Sequence, residues 1–418
     1  MWQAHLRGLG KMVDQGKPKR FNPDDEQDGL FNGNKSTSLT QDDKLIAEPA
    51  TEKRRDTSHS SSEKNASTQF SSGDLSSLGR DLAIAMQEEG YHPVVLFGTN
   101  NSGKTSILMS LFSTLSVEPQ LETGLSLCDP ILGSRTDIAR YLHKEAQHTF
   151  EIKTEAFLAG EKIPKTSTSL PFFIPVEFRP PDGRPAVKFA FLESNGEWYR
   201  PLVSDGKSLS ETEQLYPDLR KEIEDFIGSY QQGITFIYAA PVTQGEVYAQ
   251  TDKTFDTDEI RYASMAIRGV LKSYDSIRAN GRADDKHLML LTKWDAISAR
   301  QADRAAGIEE DRDALLEFCH KKYNQALSAF QGLNLRPEQK HINSYCAGMI
   351  NKTGLISVSS DDAVSRVITS YSVKLWEFLY RNALETAGKE PLSPFKVPKG
   401  PNGFSRMLAK FLDFVSGS

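Results

Sequence analysis

The sequence has few cysteines and no long apolar run. Its three cysteines, Cys128, Cys319 and Cys346, are an odd number at wide spacing. That pattern fits neither a disulfide framework nor a zinc site, and it suits a reducing compartment. No apolar run reaches the roughly 18 residues of a membrane-spanning helix, and the N-terminus lacks the apolar core of a secretory signal. We therefore expect a cytoplasmic protein without a transmembrane segment.

An excess of basic residues is also missing. Lys and Arg number 50 against 56 Asp and Glu, which gives a formal net charge of −6. Because proteins that bind nucleic acid or anionic membranes usually carry a basic excess, nucleic acid is not an expected partner. The hydrophobic fraction of 38% and the charged fraction of 25% are near the globular average. The chain is therefore long enough to bury the core of one large domain or two ordinary ones.

Apolar periodicity divides the chain into three parts. Residues 1–75 mix Ser, Asn, Asp and charges of both signs without a lasting apolar period, so they bury too little apolar surface to offset chain entropy. We predict disorder there; a tether or a targeting arm would have the same composition. Residues 76–390 hold the apolar runs and predict a globular domain. The tail 391–418 contains a short amphipathic helix, 404–414, which we expect to dock on the body of the protein rather than on a partner or a membrane.

The apolar runs of the middle part predict a three-layer α/β fold. The predicted strands are 93–97, 171–179, 187–193, 234–240, 287–292 and 341–349, and the predicted helices are 78–90, 211–229, 257–275, 310–330 and 362–386. The strongest runs are continuous, which is typical of parallel strands covered on both faces. The turn PPDGRPA predicts one antiparallel hairpin, between 171–179 and 187–193. The stretch of about 117–165 is too long for a connection and predicts an insertion with its own helix near 135–149.

The most specific motif is Gly98-Thr-Asn-Asn-Ser-Gly103-Lys104-Thr105, which follows one predicted strand and precedes a helix. It fits the phosphate-binding loop G-x-x-x-x-G-K-[ST], in which glycines let the backbone N–H groups point into one concavity at a helix N-terminus. We expect Lys104 to reach the β- and γ-phosphates and Thr105 to ligate Mg²⁺. The residues expected to bind the nucleotide in this loop are Gly98, Asn100, Asn101, Ser102, Gly103, Lys104, Thr105 and Ser106.

A second motif, Thr292-Lys293-Trp294-Asp295, stands at the end of the strand 287–292. It resembles the [NT]-K-x-D element of GTPases, where the Asp carboxylate accepts hydrogen bonds from guanine N1 and the exocyclic amine while the Lys stem lies along the ring. Adenine has no donors at those positions, so it would leave the Asp295 carboxylate facing an unpaired acceptor. The motif therefore predicts GTP and GDP as ligands, with Thr292, Lys293 and Asp295 at the base.

With these two motifs, residues 80–390 resemble the TRAFAC-class P-loop GTPases, and among them the divergent GTPase domains of bacterial conflict or "double-GTPase" systems. The resemblance implies a P-loop NTPase fold of the Ras-like G-domain type and hydrolysis of GTP with Mg²⁺. It also implies a nucleotide-state switch that regulates a protein partner or effector, in a bacterial defence or secretion setting.

The resemblance also assigns roles between the two motifs. Phe191-Leu-Glu193-Ser-Asn-Gly196 matches the D-x-x-G element, so Glu193 stands where an Asp holds magnesium through water, and the Gly196 N–H senses the γ-phosphate. The substitution of Glu for Asp puts the strength of magnesium binding and the hydrolysis rate in question. Glu197 falls where many relatives carry the Gln or His that orients the attacking water; a solvent-exposed turn glutamate is the alternative.

Other elements of the resemblance are matched more loosely. Thr166 and Thr168 are both candidates for the switch threonine that binds the metal and supports catalysis, although a Ser/Thr-rich linker has the same composition. Asn101 occupies the position where potassium-activated relatives help bind K⁺, which makes K⁺ a second candidate cation. Cys346 and Ala347 stand where a Ser-Ala pair usually supports the guanine.

Three functions remain open from the sequence. The first is the GTPase switch. The second is an ATPase of the ABC or SMC-like kind, because the loop sequence also occurs there; the chain lacks an LSGGQ-like signature and a late strand that ends in Asp-Glu. The third is a nucleotide-binding scaffold with negligible hydrolysis, which Glu193 and Glu197 suggest.

Overall fold

The computed structural model of the chain describes most of the predicted globular part. The described residues are 75–117, 124–133, 136–159, 163, 170–180, 184–199, 219–242, 257–278, 284–294, 312–347, 349–351, 356–357, 364–367 and 370–389, all within the unit Ser62–Ser418. Residues 1–74 of the predicted N-terminal segment and the whole predicted tail lie outside them. None of the described helices is both long and apolar enough to cross a membrane.

A seven-stranded sheet forms the centre of this unit. Its strands are β1 (Tyr91–Phe97), β2 (Gly124–Leu127), β3 (Phe172–Arg179), β4 (Val187–Glu193), β5 (Thr235–Pro241), β6 (Lys286–Thr292) and β7 (Lys340–Tyr345). The strand order is β2-β3-β4-β1-β5-β6-β7. Strands β4, β1, β5, β6 and β7 pair in parallel, whereas β3 runs antiparallel to both β2 and β4. The mostly parallel α/β sheet and its antiparallel β3–β4 hairpin are thus confirmed.

Helices connect the strands. They are α1 (Leu78–Glu89), α2 (Lys104–Val117), α3 (Asp137–His148), α4 (Thr154–Leu158), α5 (Lys221–Ser229), α6 (Thr257–Ile277), α7 (Arg312–Lys322), α8 (Asn324–Gly332) and α9 (Ser370–Thr386). A π-helical turn, Thr149–Lys153, joins α3 to α4, and 3₁₀ turns span Gly196–Tyr199 and Pro337–Gln339. Every residue of β1, β5 and β6 is buried, as the continuous apolar runs predict for strands covered on both faces.

Aromatic contacts show which helices cover each face of the sheet. Phe178 of β3 stacks on Trp376 of α9, with ring centroids 4.7 Å apart. Phe173 of β3 packs against Phe226 of α5 at 4.6 Å. Because successive side chains of a strand point to opposite faces, residues 173 and 178 face opposite ways. Helices α9 and α5 therefore cover different faces of the sheet, which gives three layers.

The insertion adds a strand that the sequence pattern did not predict. Residues 124–127 form β2, which pairs with Val176–Arg179 at the edge of the sheet. This segment has four residues of intermediate or high exposure, so it carries no apolar period to recognise. The predicted insertion helix near 135–149 is observed as α3, and it begins at the side-chain cap of Thr136, whose oxygen accepts the N–H of Ala139.

Three predicted helices differ from their patterns. In the described part of 211–229 the helix begins only at Lys221. The stretch 310–330 is divided into α7 and α8 at Tyr323, whose buried hydroxyl donates to the carbonyl of Pro241 at 2.7 Å and so turns the chain. The predicted helix 362–386 begins only at Ser370. Before it, β10 (Val364–Val367) pairs with β8 (Met349–Asn351) in a second sheet, which β9 (Ile356–Ser357) completes in the order β10-β8-β9.

Candidate functional site

The loop between β1 and α2 has the strained backbone that its glycines allow. Gly103 has a φ of 92°, a backbone conformation that residues with a side chain rarely adopt. Asn101 has a φ of 59°. Asparagine is one of the few residues that enter this left-handed region readily. The N–H of Ser102 donates to the carbonyl of Thr99 at 3.2 Å, which closes the turn. The chain therefore bends sharply at the point where β1 leads into α2.

Lys104 turns back over this loop. Its side chain is only 6% exposed, and its Nζ donates to the carbonyls of Gly98 at 2.6 Å and Thr99 at 3.2 Å. Burial lowers the pKa of Lys104 to about 8, and the nearby Glu193 carboxylate opposes that shift. The ring of Tyr199 lies 6.0 Å from the same ammonium group. A buried cation held by neutral carbonyls is well placed to bind a group with full negative charge.

The N-terminus of α2 points its backbone dipole at the same place. The N–H of Ile107 donates to the carbonyl of Gly103 at 2.8 Å, so the helical hydrogen bonds begin there. Helix geometry leaves the N–H groups of the preceding first turn, Lys104 to Ser106, without helical acceptors. These groups carry a partial positive charge, which stabilises a bound anion.

Two oxygen ligands suited to magnesium meet beside the loop. Thr105 Oγ1 donates to Glu193 Oε1 at 2.7 Å, although the two residues are 88 positions apart. Glu193 is the last residue of β4, the neighbour of β1, and it is only 1% exposed. Mg²⁺ is usually held by one or two such protein oxygens together with phosphate oxygens and water. A hydroxyl and a buried carboxylate at the start of α2 therefore fit this ion.

Gly196 packs directly on the predicted phosphate loop, at Thr99 and Asn100. A Cβ at this position would lie 2.5 Å from the N of Asn100 and 2.7 Å from the O of Thr99. Gly196 begins a 3₁₀ turn that ends at Tyr199. The hydroxyl of Tyr199 lies 2.9 Å from Ser194 Oγ, and its ring packs edge-on against Phe97 with ring centroids 5.5 Å apart. No sequence pattern singles out Tyr199, because only the folded turn places its ring near Lys104.

The Thr292-Lys293-Trp294 segment is joined to the loop. Thr292 Oγ1 donates to the carbonyl of Ser102 at 2.6 Å, across a sequence separation of 190 residues. Lys293 has a φ of 58°, so the chain turns sharply as it leaves β6. The N–H of Trp294 donates to the carbonyl of Tyr345 at 3.3 Å. This bond brings the end of β7, and with it the buried Cys346, beside the end of β6.

The structure thus brings most of the predicted residues together and does not describe the others. Most of these residues lie at or just after the carboxyl ends of the parallel strands β1, β4, β6 and β7, at one edge of the sheet: 98–106, Glu193, Gly196, Thr292, Lys293, Cys346 and Ala347. Asn101 is exposed and Ser106 is half-buried. The predictions for Thr166, Thr168 and Asp295 lie outside the described residues, as does the side chain of Glu197.

Comparisons with solved structures give distant likenesses. No family model matches the chain, and no curated protein matches it. In structure the chain is similar to the GTPase-like domain of Ski7 from S. cerevisiae, solved with bound GTP, with 12% sequence identity and a TM-score of 0.28. The match covers 80% of this chain and 53% of that chain, so it spans about half the length of the Ski7 protein that was solved. A likeness at this level carries no argument about function, which has to come from the site itself.

Proposed function

We propose that this chain binds GTP with Mg²⁺ and hydrolyses it, and that its conformation reports the nucleotide state. The observation that carries the proposal is the hydrogen bond from Thr292 Oγ1 to the carbonyl of Ser102. It connects a loop with the sequence and charge of a phosphate site to a segment with the sequence of a guanine site. We would not expect a buried hydrogen bond between two motifs that belonged to separate sites.

The sheet topology supports a Ras-like P-loop fold of three layers. The phosphate loop follows β1, the middle strand of the seven-stranded sheet, and the metal carboxylate ends its parallel neighbour β4. Ligands of open α/β sheets bind at the carboxyl ends of the strands. The described strands that follow β4, namely β5, β6 and β7, end at Pro241, Thr292 and Tyr345. None of these three ends in the Asp-Glu pair that the ABC-like alternative requires.

In this proposal the chain contributes mainly charge and position. Lys104 stabilises the negative charge that develops on the β- and γ-phosphate oxygens, and the first-turn amides of α2 hold those oxygens in place. Thr105 and Glu193 hold Mg²⁺, which neutralises phosphate charge when bound. Gly196 senses the terminal phosphate through its N–H, Thr166 or Thr168 completes the metal ligands, and Glu197 orients the attacking water. Asp295 accepts the guanine donors, with Lys293, Cys346 and Ala347 around the ring.

A second candidate is nucleotide binding with negligible hydrolysis. Glu193 Oε1 already accepts the hydroxyl of Thr105 at 2.7 Å, so a metal ion has to compete with this bond for the pair. If Asn101 helps to bind K⁺, this ion could speed hydrolysis in place of a positively charged side chain supplied by a partner protein. The regulation of a protein partner, in a defence or secretion setting, is proposed by analogy alone.

Base specificity is tested by titrating the full chain with fluorescent GDP and with fluorescent ADP. We expect GDP to bind about tenfold more tightly, because an unmatched buried polar group costs about 1–3 kcal/mol. Asp295→Ala should abolish the preference, whereas Lys104→Ala should weaken both nucleotides. Equal affinity of the wild type for GDP and ADP would overturn the guanine assignment and favour an ATPase.

Hydrolysis is tested by phosphate release from GTP with Mg²⁺, in K⁺ and in Na⁺ buffers, with Lys104→Ala as the background control. A rate above that background supports the GTPase. If the wild type binds GTP but releases phosphate no faster than Lys104→Ala in either buffer, the chain is a binding scaffold. A higher rate in K⁺ than in Na⁺ would support the cation role of Asn101, and Asn101→Gly should remove the difference.

A further inference from the structure

The insertion between α2 and β3 carries a lysine that is buried beside the candidate metal site. Lys153 is the last residue of the π-helical turn Thr149–Lys153, and its side chain is only 4% exposed. Lysine is almost never this deeply buried unless a counter-charge or a ligand holds it. Single π-helical turns are also frequent at functional sites. The sequence motifs did not single out this residue, because a lone lysine in a charged helix has no pattern.

Packing places Lys153 at the start of α2. The next residue, Thr154, donates its hydroxyl to Met109 Sδ at 3.5 Å. Met109 lies four residues after Thr105 in α2, so both project from the same face of the helix, one turn apart. The residue next to Lys153 therefore contacts α2 one turn after Thr105.

A second chain of contacts ties the π-helical turn to β4. Phe150 packs on Phe112 with ring centroids 5.2 Å apart, and Phe112 meets Phe191 at 5.6 Å. Phe191 precedes Glu193 by two residues and therefore points to the same face of β4. The first chain of contacts thus reaches α2 one turn after Thr105, and the second reaches β4 two residues before Glu193.

The charges at this point form a buried cluster. Lys153 interacts electrostatically with Glu193 and with the half-buried Glu145 of α3, and Lys104 interacts with Glu193 as well. Burial lowers the pKa of Lys153, and the two carboxylates oppose that shift. Two buried ammonium groups thus share the single, fully buried carboxylate of Glu193. Such a cluster favours the arrival of further negative charge.

We propose that Lys153 is a second phosphate-binding lysine, supplied by the insertion, which recognises the terminal phosphate of a nucleoside triphosphate. Lys104 belongs to the loop itself and serves both diphosphates and triphosphates. Lys153 approaches from the side of Thr105 and Glu193, where the metal ligands lie, so it meets the charge that only a triphosphate adds there. This inference rests on the proposed nucleotide binding and names the residue that distinguishes GTP from GDP.

The test compares two nucleotides on two matched lysine variants. The full chain, Lys153→Met and Lys144→Met are titrated with a fluorescent non-hydrolysable GTP analogue and with fluorescent GDP, each with Mg²⁺ and with EDTA. Lys144 is an exposed lysine of α3 and serves as the control. For Lys153→Met we expect at least about a tenfold loss of affinity for the GTP analogue and less than about a twofold loss for GDP. Lys153→Arg should restore part of the loss because it keeps the charge.

Equal weakening of both nucleotides would show that Lys153 only supports the fold, and unchanged affinity for the GTP analogue would show that it does not reach the phosphate; either result overturns the proposal. If the wild type binds neither nucleotide, nucleotide binding itself is wrong, and this inference fails with it. Thermal unfolding without nucleotide monitors folding, and Lys153→Gln replaces Lys153→Met if the latter does not fold.

Discussion

Gly196 lies so close to the backbone of the predicted phosphate loop that a larger side chain would not fit. Its missing Cβ would lie 2.5 Å and 2.7 Å from backbone atoms of Asn100 and Thr99. We predict that Gly196→Ala weakens GDP and GTP binding by at least about tenfold, because either the loop or the 3₁₀ turn has to move to relieve the contact. Fluorescent-nucleotide titration measures the effect.

The control for this change is Gly332→Ala. Gly332 ends α8, and a Cβ built there meets nothing within 4 Å. This variant should bind nucleotide like the wild type. Wild-type affinity in Gly196→Ala would mean that the turn is not held against the loop in solution.

The hydroxyl of Thr292 is predicted to hold the two halves of the site together. Thr292→Val keeps the shape of the side chain but leaves the buried carbonyl of Ser102 without this donor, which costs about 1–3 kcal/mol. We expect a lower thermal midpoint and a loss of about tenfold or more in GDP affinity. Thr292→Ser keeps the donor and should stay near the wild type in both measurements. A Thr292→Val protein with unchanged affinity would show that the bond does not position the site.

The sequence predicted the local parts of this site and missed its tertiary parts. The phosphate loop and the Thr292-Lys293 segment are contiguous motifs, so their residue types and spacing alone point to nucleotide chemistry. The bond from Thr292 to Ser102 and the burial of Lys153 are set by packing between distant segments. No single-sequence pattern encodes such contacts.

At the scale of elements, helices α1 and α5 meet at a point where only a glycine fits. A Cβ on Gly79 of α1 would lie 2.1 Å from the carbonyl oxygen of Glu222 and 2.8 Å from the N of Phe226, both in α5. We predict that Gly79→Ala lowers the free energy of unfolding by about 1–3 kcal/mol, because the helices have to separate. Denaturant unfolding measures this loss.

Gly228→Ala in α5 is the matched helical control. Its Cβ would meet only Ile277 Cγ2, at 3.4 Å, and alanine is intrinsically the better helix former by about 1 kcal/mol. The control should therefore be neutral or stabilising. An equal loss of stability in both variants would indicate a general cost of substitution in this region and not a close helix crossing.

The elements that the sequence predicted well are those with a strong apolar period. Strands β1, β3, β4, β5 and β6 were predicted to within two residues at each end, because their continuous apolar runs are buried on both faces. Strand β2 was missed because its exposure is intermediate, and β10 was predicted as helix because its pairing with β8 is not visible in local sequence. The division of 310–330 depends on the contact of Tyr323 with Pro241.

At the scale of the whole molecule, helix α9 packs on both the sheet and α2. Trp376 of α9 is 1% exposed, and its Nε1 donates to the carbonyl of Leu111 in α2 at 2.9 Å. The hydroxyl of Tyr345, in β7, lies 3.0 Å from Ser372 of α9 and also contacts Ser110 of α2. Any movement of α2 would therefore be transmitted through these contacts to α9 and β7.

Two histidines are buried within the sheet itself and connect its stability to pH. His92 of β1 bonds through Nε2 to Thr235 Oγ1 at 2.9 Å, and His287 of β6 bonds through Nδ1 to Tyr238 Oη at 2.9 Å. Burial lowers the pKa of each histidine from 6.5 to about 3. Both are therefore neutral in the folded protein at pH values where the unfolded chain already binds protons.

The sign of the pH effect follows from this difference in proton binding. Well above pH 6.5 these histidines are neutral in both states, and they do not make stability depend on pH. Between pH 6.5 and about 3 they bind protons in the unfolded state but not in the folded state, so the free energy of unfolding decreases as the pH is lowered. Each histidine should contribute a loss of about 1 kcal/mol per pH unit.

We predict that His92→Gln, whose amide can still hydrogen-bond to Thr235, has a shallower decline of unfolding free energy from pH 6.5 to 4.5 than the wild type. The exposed His320 provides the control, since His320→Gln should keep the wild-type slope. Identical slopes for all three proteins would mean that His92 takes up its proton without unfolding the sheet.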